Sequence, residues 1–208
     1  MSIEATVARI AELHSAFAPP PAAPTSAASS TSTTVTSPTA FASMLQNASP
    51  VGAPAMPAGG SAGARIVAAV QNEVGVAEQP PGSNDSPRIA EYRSATAGAP
   101  GPGPWCAYFT SWAARQAGVP LGDHGQGFGS VDAVYAWAQS AGKAIPANSV
   151  PPTPPQPGDL IVWDEHIGVV ESVTPDGRIS TIEGNSSDRV SKRTYGPDGG
   201  GAIGYVRL

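Results

Sequence analysis

The distribution of charge divides this chain sharply into two parts. Of the 27 charged side chains (11 basic and 16 acidic), three precede Leu13 and the other 24 lie in residues 65–208, together with all four tryptophans. The stretch between Leu13 and Ala64 carries no charge and consists largely of Ala, Ser, Thr and Pro. Such a composition does not bury enough apolar surface to offset the entropy of ordering a chain. We therefore predict one compact domain at residues 65–208, preceded by a disordered linker at residues 18–64.

A short amphipathic segment precedes the linker. Apolar residues recur there every three or four positions, at Ile3, Val7, Ile10, Leu13 and Phe17. This spacing predicts a helix over residues 1–17. Charged residues interrupt its apolar positions, so it lacks the continuous apolar core of a cleavable signal peptide. A second apolar island, at residues 41–45 within the linker, is either a docking motif or a few hydrophobic residues in an unstructured stretch.

Composition excludes several classes of protein. A net charge of -5, a pI near 5.1 and only 11 scattered basic residues argue against a nucleic-acid partner. No apolar run approaches the roughly 18 residues of a membrane-spanning helix. One cysteine and three separated histidines form neither an internal disulfide nor a zinc cluster, and no calcium-binding loop is visible. We therefore expect no metal and no cofactor.

The order of the predicted elements indicates the fold class. Helical periodicity begins at Ile66, and further helices are predicted at residues 106–116 and from Ser130 to Gly142. Segments of β type follow, separated by Pro/Asp/Gly turns, at residues 159–163, 166–173, 178–183, 190–195 and 203–207. Helices followed by a strand meander predict an α+β domain with an antiparallel sheet of about five to six strands.

Cys106 is the first candidate for chemistry. The Gly/Pro loop 101–105 runs into the predicted helix at this residue. Free backbone N–H groups and the positive end of the helix dipole therefore lie near its sulfur, which favours the thiolate that a nucleophile requires. The alternative is that Cys106 is a small buried hydrophobic residue, as free cysteines often are.

His166 is the second candidate, because strand geometry places acceptors beside it. If residues 174–177 form a four-residue loop, Glu183 lies opposite Gly168 and Asn185 lies opposite His166. Both acceptors then share the face of the sheet that carries the imidazole and are within side-chain reach. An oxygen acceptor on one ring nitrogen would orient the histidine toward a nucleophile. His14 and His124 fit this arrangement less well.

These residues resemble the motifs of a known family. The similar segments are Trp105-Cys106-Ala107-Tyr108-Phe109 with Trp112, Gly158-Asp159 before an apolar strand, His166-Ile167-Gly168-Val169-Val170, and Glu183-Gly184-Asn185. They resemble the CHAP family, the cysteine, histidine-dependent amidohydrolases/peptidases, over residues 65–208. The resemblance implies a papain-like α+β fold and hydrolysis of an amide bond in peptidoglycan.

The resemblance also implies roles for individual residues. Cys106 would be the nucleophile, His166 the general base and Glu183 the residue that orients it, with Asn185 assisting. The backbone N–H of Cys106 would supply one oxyanion-hole donor, and no second donor is assigned. Three large aromatic residues near the motifs would either line the substrate groove or belong to the core: Trp105, Tyr108 and Trp163.

Two activities are candidates for the cleavage step: that of an N-acetylmuramoyl-L-alanine amidase and that of a peptide endopeptidase. Two other functions also remain: a non-catalytic wall-binding or assembly module with an idle site, and an amidase acting on a small cellular amide. The N-terminal residues 3–17 and 41–45 resemble the leader region of some actinobacterial flagellum-associated wall hydrolases. That likeness implies a flagellar or wall-assembly partner, export without a cleavable signal, and a location in the cell envelope or outside the cell.

Overall fold

The computed structural model describes residues 60–150 and 152–208 as four helices and a six-stranded sheet. The helices are α1 (Ala62–Gln71), α2 (Pro87–Ser94), α3 (Cys106–Gln116) and α4 (Val131–Ser140). The strands are β1 (Ala144–Pro146), β2 (Leu160–Val162), β3 (Ile167–Val173), β4 (Ile179–Glu183), β5 (Ser191–Tyr195) and β6 (Gly204–Val206). The predicted α+β class with an antiparallel sheet is confirmed. The predicted helix at residues 1–17 and almost all of the linker at 18–64 lie outside the described residues.

The sheet is open and has the strand order β1-β6-β2-β3-β4-β5, with every neighbouring pair antiparallel. Its centre is apolar, because β2 and the first four residues of β3 are fully buried. The edge strand β5 is largely exposed and carries polar side chains. None of the helices in the described part of the chain is long and apolar enough to cross a lipid bilayer.

Helix α3 lies at the centre of the domain, in contact with α1, α2 and β3. Its nine residues from Cys106 to Ala114 are all buried, because alanines and small polar residues alternate there with large aromatic ones. Tyr92 of α2 packs among the aromatic rings of this region, with ring centroids 5.0 to 5.8 Å from those of Trp105, Phe109 and Trp112. This packing fixes the N-terminus of α3, and with it Cys106, against the sheet.

The elements before α3 differ from the sequence predictions. Helix α1 begins at Ala62, ahead of the predicted domain boundary at Arg65, with Ser61 accepting from its first turn. It ends at Gln71, so that Val74, which has helical spacing, lies beyond it and is 42% exposed. Helix α2 and strand β1 were not predicted. Helix α2 is short and polar, but its start is marked by the N-cap Ser86 followed by proline at the first helical position.

Candidate active site

Cys106 is the first residue of α3 and is 5% exposed. The preceding residue, Trp105, makes no side-chain cap, and the first helical hydrogen bond runs from the Phe109 N–H to the Trp105 carbonyl at 2.9 Å. The N–H groups of the first turn therefore have no helical acceptor, and their positive potential acts at the sulfur. The prediction that Cys106 lies at a helix N-terminus is confirmed.

His166 brings the two ends of the predicted site together. Its Nε2 atom lies 2.9 Å from Oε2 of Glu183, and the Cys106 thiol lies close enough to the imidazole to raise its pKa. Because Glu183 takes Nε2, the nitrogen that remains for Cys106 is Nδ1. The ring thus stands between a thiol and a carboxylate, an order that would suit a nucleophile, a base and an orienting group.

The strand register that produces this contact differs from the prediction in one respect. The β3–β4 loop spans residues 174–178, one residue longer than predicted, so that Val173 pairs with Ile179. Glu171 is skipped between the pairs Val170–Thr181 and Ser172–Ser180, as a β-bulge. The bulge offsets the longer loop and restores the predicted register toward the site, where Val169 pairs with Ile182. Glu183 therefore lies opposite Gly168, as predicted.

Glu183 is held from both of its oxygens. While Oε2 contacts His166, Oε1 accepts hydrogen bonds from the hydroxyls of Thr181 at 2.6 Å and Tyr195 at 2.9 Å. The carboxylate is 2% exposed, and three donors satisfy it away from water. Sequence reasoning missed Thr181 and Tyr195. The two-residue period of a strand places Thr181 on the face of Glu183, whereas Tyr195 requires the β4–β5 register.

These contacts set the charge of the pair. Burial alone would lower the pKa of His166, but the hydrogen bonds to Cys106 and Glu183 and the charges of both partners raise it to about 9. Burial alone would raise the pKa of Glu183, but hydrogen bonds from His166, Thr181 and Tyr195 and the charge of His166 lower it below its usual value. At neutral pH the site therefore holds an imidazolium next to a carboxylate.

Two glycines of the motifs allow the close packing. A Cβ atom on Gly168 would lie 2.6 Å from Cγ of Glu183, and a Cβ atom on Gly184 would lie 2.7 Å from Cβ and Cγ of Phe109. Any larger side chain at these positions would displace Glu183 or push α3 away from the end of β4. The glycines in His-Ile-Gly and Glu-Gly-Asn are thus explained by the close approach of the Glu183 carboxylate and of helix α3.

An aromatic side chain covers the imidazole. The Trp163 ring stacks on His166, with centroids 5.6 Å apart and 28° between the planes, and its other neighbour is Tyr195 at 5.1 Å. The indole N–H donates to the Gly199 carbonyl at 2.9 Å, which fixes the ring. Trp163 is half-buried, so it shields the imidazole from water and keeps an exposed edge at the site.

The other two aromatic candidates for substrate contact are part of the core. Trp105 is fully buried, and its indole N–H donates to Oε1 of Glu78 at 2.9 Å. It has no surface for a substrate, so its prediction as a groove residue is corrected. Tyr108 is 6% exposed and packs against Gly129, so the core alternative also applies to it. Trp105 packs into the aromatic cluster of α2 and α3, whereas Tyr108 is covered by the loop at Gly129.

The remaining candidates lie at different distances from the pair. Asn185 is half-buried with a positive φ of 57° and lines the same groove as His166 and Glu183, while its assisting role stays a prediction. His124 lies in an exposed loop away from the site, and His14 lies outside the described residues. Within residues 60–150 and 152–208, no group of three or more His, Cys, Asp or Glu side chains is arranged to hold a metal ion.

Each member of the Cys106–His166 pair lines an open groove of its own. One, of about 380 Å³, is lined by Cys106 and by three exposed carboxylates, Asp132, Asp164 and Glu165. The other, of about 530 Å³, lies on the imidazole side. It is lined by His166, Glu183, Asn185, Ser186, Ser187, Arg193, Thr194 and Tyr195. The thiol is therefore accessible to a substrate from the first groove, and the imidazole from the second.

Comparison with known proteins supports the resemblance seen in the sequence. Residues 98–185 match the family described as CHAP domain, a range that contains the thiol, the imidazole and the carboxylate. No curated protein and no solved structure matches the chain. CHAP domains are amidohydrolases and peptidases, and the family implies a peptidoglycan substrate. The resemblance to the CHAP family is thus confirmed for residues 98–185, the part of the chain that carries Cys106, His166 and Glu183.

Proposed function

We propose that this protein is a peptidoglycan hydrolase that cleaves an amide bond through a cysteine nucleophile and an acyl-enzyme. The observation that supports it most is the position of His166, which contacts Cys106 on one side and Glu183 at 2.9 Å on the other. A buried, oriented imidazole next to a thiol at a helix N-terminus is the arrangement that activates a cysteine.

In the acylation step, the Cys106 sulfur attacks the carbonyl carbon of the scissile amide and forms the carbon–sulfur bond. The His166 imidazolium then gives its proton to the leaving amine as the carbon–nitrogen bond breaks. Glu183 keeps the ring in position through Nε2, so that Nδ1 faces both the sulfur and the departing nitrogen. The backbone N–H of Cys106 is one donor for the developing oxyanion.

In the deacylation step, the neutral imidazole of His166 accepts a proton from water, whose oxygen attacks the thioester carbon. The carbon–sulfur bond breaks, the product acid leaves, and the thiolate and the imidazolium are restored. Trp163 limits the access of bulk water to one face of the ring, because it stacks on that face. The same histidine thus acts first as an acid and then as a base.

The test is release of soluble fragments from purified cell walls by the full 208-residue chain. We expect Cys106→Ala and His166→Ala to slow release by at least about a thousandfold, as loss of a nucleophile or its base does in comparable enzymes. His124→Ala is the matched control and should behave as wild type, because His124 lies in an exposed loop outside the site. Release by Cys106→Ala at the wild-type rate would falsify the mechanism.

Mass spectrometry of the products distinguishes the two candidate bonds. Free muramic-acid carboxyl groups and peptides that begin with L-alanine identify an amidase, and fragments cut within or between the peptides identify an endopeptidase. Walls left intact by a chain that hydrolyses small amides would favour the small-amide alternative. A chain that binds walls without cutting any amide would favour the non-catalytic module.

A wall hydrolase acts in the cell envelope or outside the cell, and we propose that location for this protein. The predicted flagellar or wall-assembly partner of residues 1–64 belongs to the same proposal, and the residues that would bind it lie almost entirely outside the described part of the chain.

A further inference from the structure

The imidazole-side groove carries a positive charge that the catalytic chemistry does not use. Arg193 pairs with Thr181 across the β4–β5 ladder, and the two-residue period of the strands puts it on the face that bears Glu183 and Tyr195. Arg193 is exposed and lines this groove together with the imidazole of His166. A group bound by Arg193 would therefore lie beside the catalytic ring.

Two hydroxyl groups hold the guanidinium in place. Nε of Arg193 donates to Oγ of Ser186 at 3.0 Å, and one terminal nitrogen donates to Oγ of Ser187 at 2.9 Å. Within residues 60–150 and 152–208, Arg193 has no carboxylate at ion-pair distance. The two hydrogen bonds occupy one edge of the fork and orient it without neutralising its charge. The outer edge, formed by the two terminal nitrogens, can still bind an anion through bidentate hydrogen bonds.

The surrounding charges favour an anion at this position. Arg189 is a second guanidinium near the same loop, with Nε 3.4 Å from the Ser187 carbonyl. Glu183 also lines the groove, but its charge is compensated by the imidazolium of His166. The Cys106-side groove is negatively charged instead, because the charged groups that line it are the carboxylates Asp132, Asp164 and Glu165. A substrate carboxylate is therefore repelled from one groove and attracted to the other.

We propose that Arg193, oriented by Ser186 and Ser187, binds a free carboxylate of the wall peptide during cleavage, and so selects peptides that are not amidated there. This inference rests on the proposed function. The peptide stems of peptidoglycan contain both peptide bonds and free carboxylates, and a guanidinium that is already oriented loses little entropy when it binds one. Arg193 is a specificity-determining residue in this proposal, and the reaction steps remain those of Cys106 and His166.

The test compares two substrates: purified cell walls, and the same walls with their carboxylates converted to amides by carbodiimide and ammonium chloride. The measured quantity is the ratio of the rates of fragment release from untreated and amidated walls. For the wild-type full chain we expect a ratio of about 10 or more, as one charge-assisted bidentate contact provides. Arg193→Gln should release fragments from both walls at similar rates, and Arg193→Lys should give an intermediate ratio because it keeps the charge without the fork.

Arg115→Gln is the matched control, because Arg115 is exposed near the C-terminal end of α3, away from both grooves, and should keep the wild-type ratio. A rate ratio does not depend on the fraction of folded enzyme, so reduced stability of a variant does not imitate loss of selectivity. A ratio near one for the wild type, or a wild-type ratio in Arg193→Gln, overturns the inference while leaving the hydrolase intact. Failure of the wild type to release fragments from either wall overturns the proposed function and the inference together.

Discussion

At the scale of single residues, the carboxylate of Glu183 connects the side chains of the site. It receives His166 on one oxygen and the hydroxyls of Thr181 and Tyr195 on the other. The Tyr195 ring also packs on Trp163, which covers the imidazole. Tyr195 therefore positions His166 through both Glu183 and Trp163. It lies outside the stretch that matches the CHAP family.

Tyr195→Phe tests this role. The hydroxyl stabilises the Glu183 carboxylate more when His166 is neutral than when it is protonated, because the imidazolium already compensates the charge. Its loss should therefore raise the pKa of His166 and move the alkaline fall of the rate, expected near pH 9 in the wild type, to higher pH. We also expect kcat to decrease by about 10-fold, a typical cost of removing a hydrogen bond that orients a catalytic group.

The matched control for this variant is Tyr135→Phe, whose hydroxyl makes only a long contact of 3.5 Å to the Ile203 carbonyl. It should keep both kcat and the alkaline limit of the wild type. The measurement is the pH–rate profile on cell walls between pH 6 and 11. An unchanged alkaline limit in Tyr195→Phe would show that the hydroxyl is only structural.

Residue identity alone predicted part of the site. Cys106, His166 and Glu183 were found because a helix start, a strand end and a two-residue period are all visible in the sequence. For Trp105 the sequence left a groove position and a core position open, since nothing in its neighbourhood distinguishes an aromatic residue that faces a groove from one that faces the core. The buried acceptor that decides its orientation, Glu78, is far from it in sequence. Arg193 required the register of β5, which no turn in the sequence fixes.

At the scale of elements, the site depends on how closely α3 approaches the end of β4. Gly184 lies at this contact, where a Cβ atom would come within 2.7 Å of Phe109 and 2.8 Å of a Trp105 ring carbon. Both aromatic residues are fully buried and have no room to move. The close packing of protein interiors makes such an insertion costly.

Gly184→Ala should therefore destabilise the fold by about 1–3 kcal/mol and reduce activity further than the folded fraction explains, because α3 carries Cys106. Gly101→Ala is the matched control, since a Cβ atom there meets nothing within 4 Å. Urea denaturation measures the free energy of unfolding, and wall digestion under folding conditions measures activity. Equal stability of the two variants would contradict the proposed contact.

The β3–β4 register shows why the contact between Glu183 and His166 was predicted correctly from a loop length that was one residue too short. An odd loop length should have turned Glu183 away from His166, and the β3–β4 loop at residues 174–178 is odd. The bulge at Glu171 adds one unpaired residue to β3, so that Glu183 again lies on the face of the sheet that carries His166. Nothing in the local sequence around Glu171 marks a bulge, so the sequence predicts the shared face without predicting how the strands achieve it. The start of helix α2, unlike the bulge, is marked in the sequence by its N-cap serine and the proline that follows it.

At the scale of the whole molecule, buried carboxylates connect distant parts of the fold. In the part of the chain that the structure describes, four are less than 7% exposed: Glu73, Glu78, Asp159 and Glu183. Glu73, in the turn after α1, binds Arg88 and Tyr92 of α2, Asp159 binds Arg207 after β6, and Glu183 binds the imidazole of His166. Each is satisfied by donors from another element, so protonation would weaken contacts between elements as well as within the site.

This arrangement predicts acid sensitivity with a defined sign. Burial acts to raise the pKa of Glu73 and of Glu183, but hydrogen bonds and neighbouring positive charge lower both below the usual value of 4.5. A carboxyl group whose folded pKa is depressed adds stability above its unfolded pKa and loses it as the pH falls through the folded pKa. The free energy of unfolding of the wild type should therefore decrease as the pH is lowered from about 4.5 toward 3.

Variants separate these two carboxylates from the general effect of acid. Glu73→Gln and Glu183→Gln should each be less stable than the wild type at pH 7, by about 1–3 kcal/mol, and should lose less stability between pH 4.5 and 3, because the titrating group is gone. Asp132→Asn, which removes an exposed carboxylate of the Cys106-side groove, should follow the wild-type pH dependence. Denaturation curves at several pH values provide the measurement. If both glutamine variants lose as much stability as the wild type over this range, the acid sensitivity arises elsewhere and the buried carboxylates do not connect the elements as described.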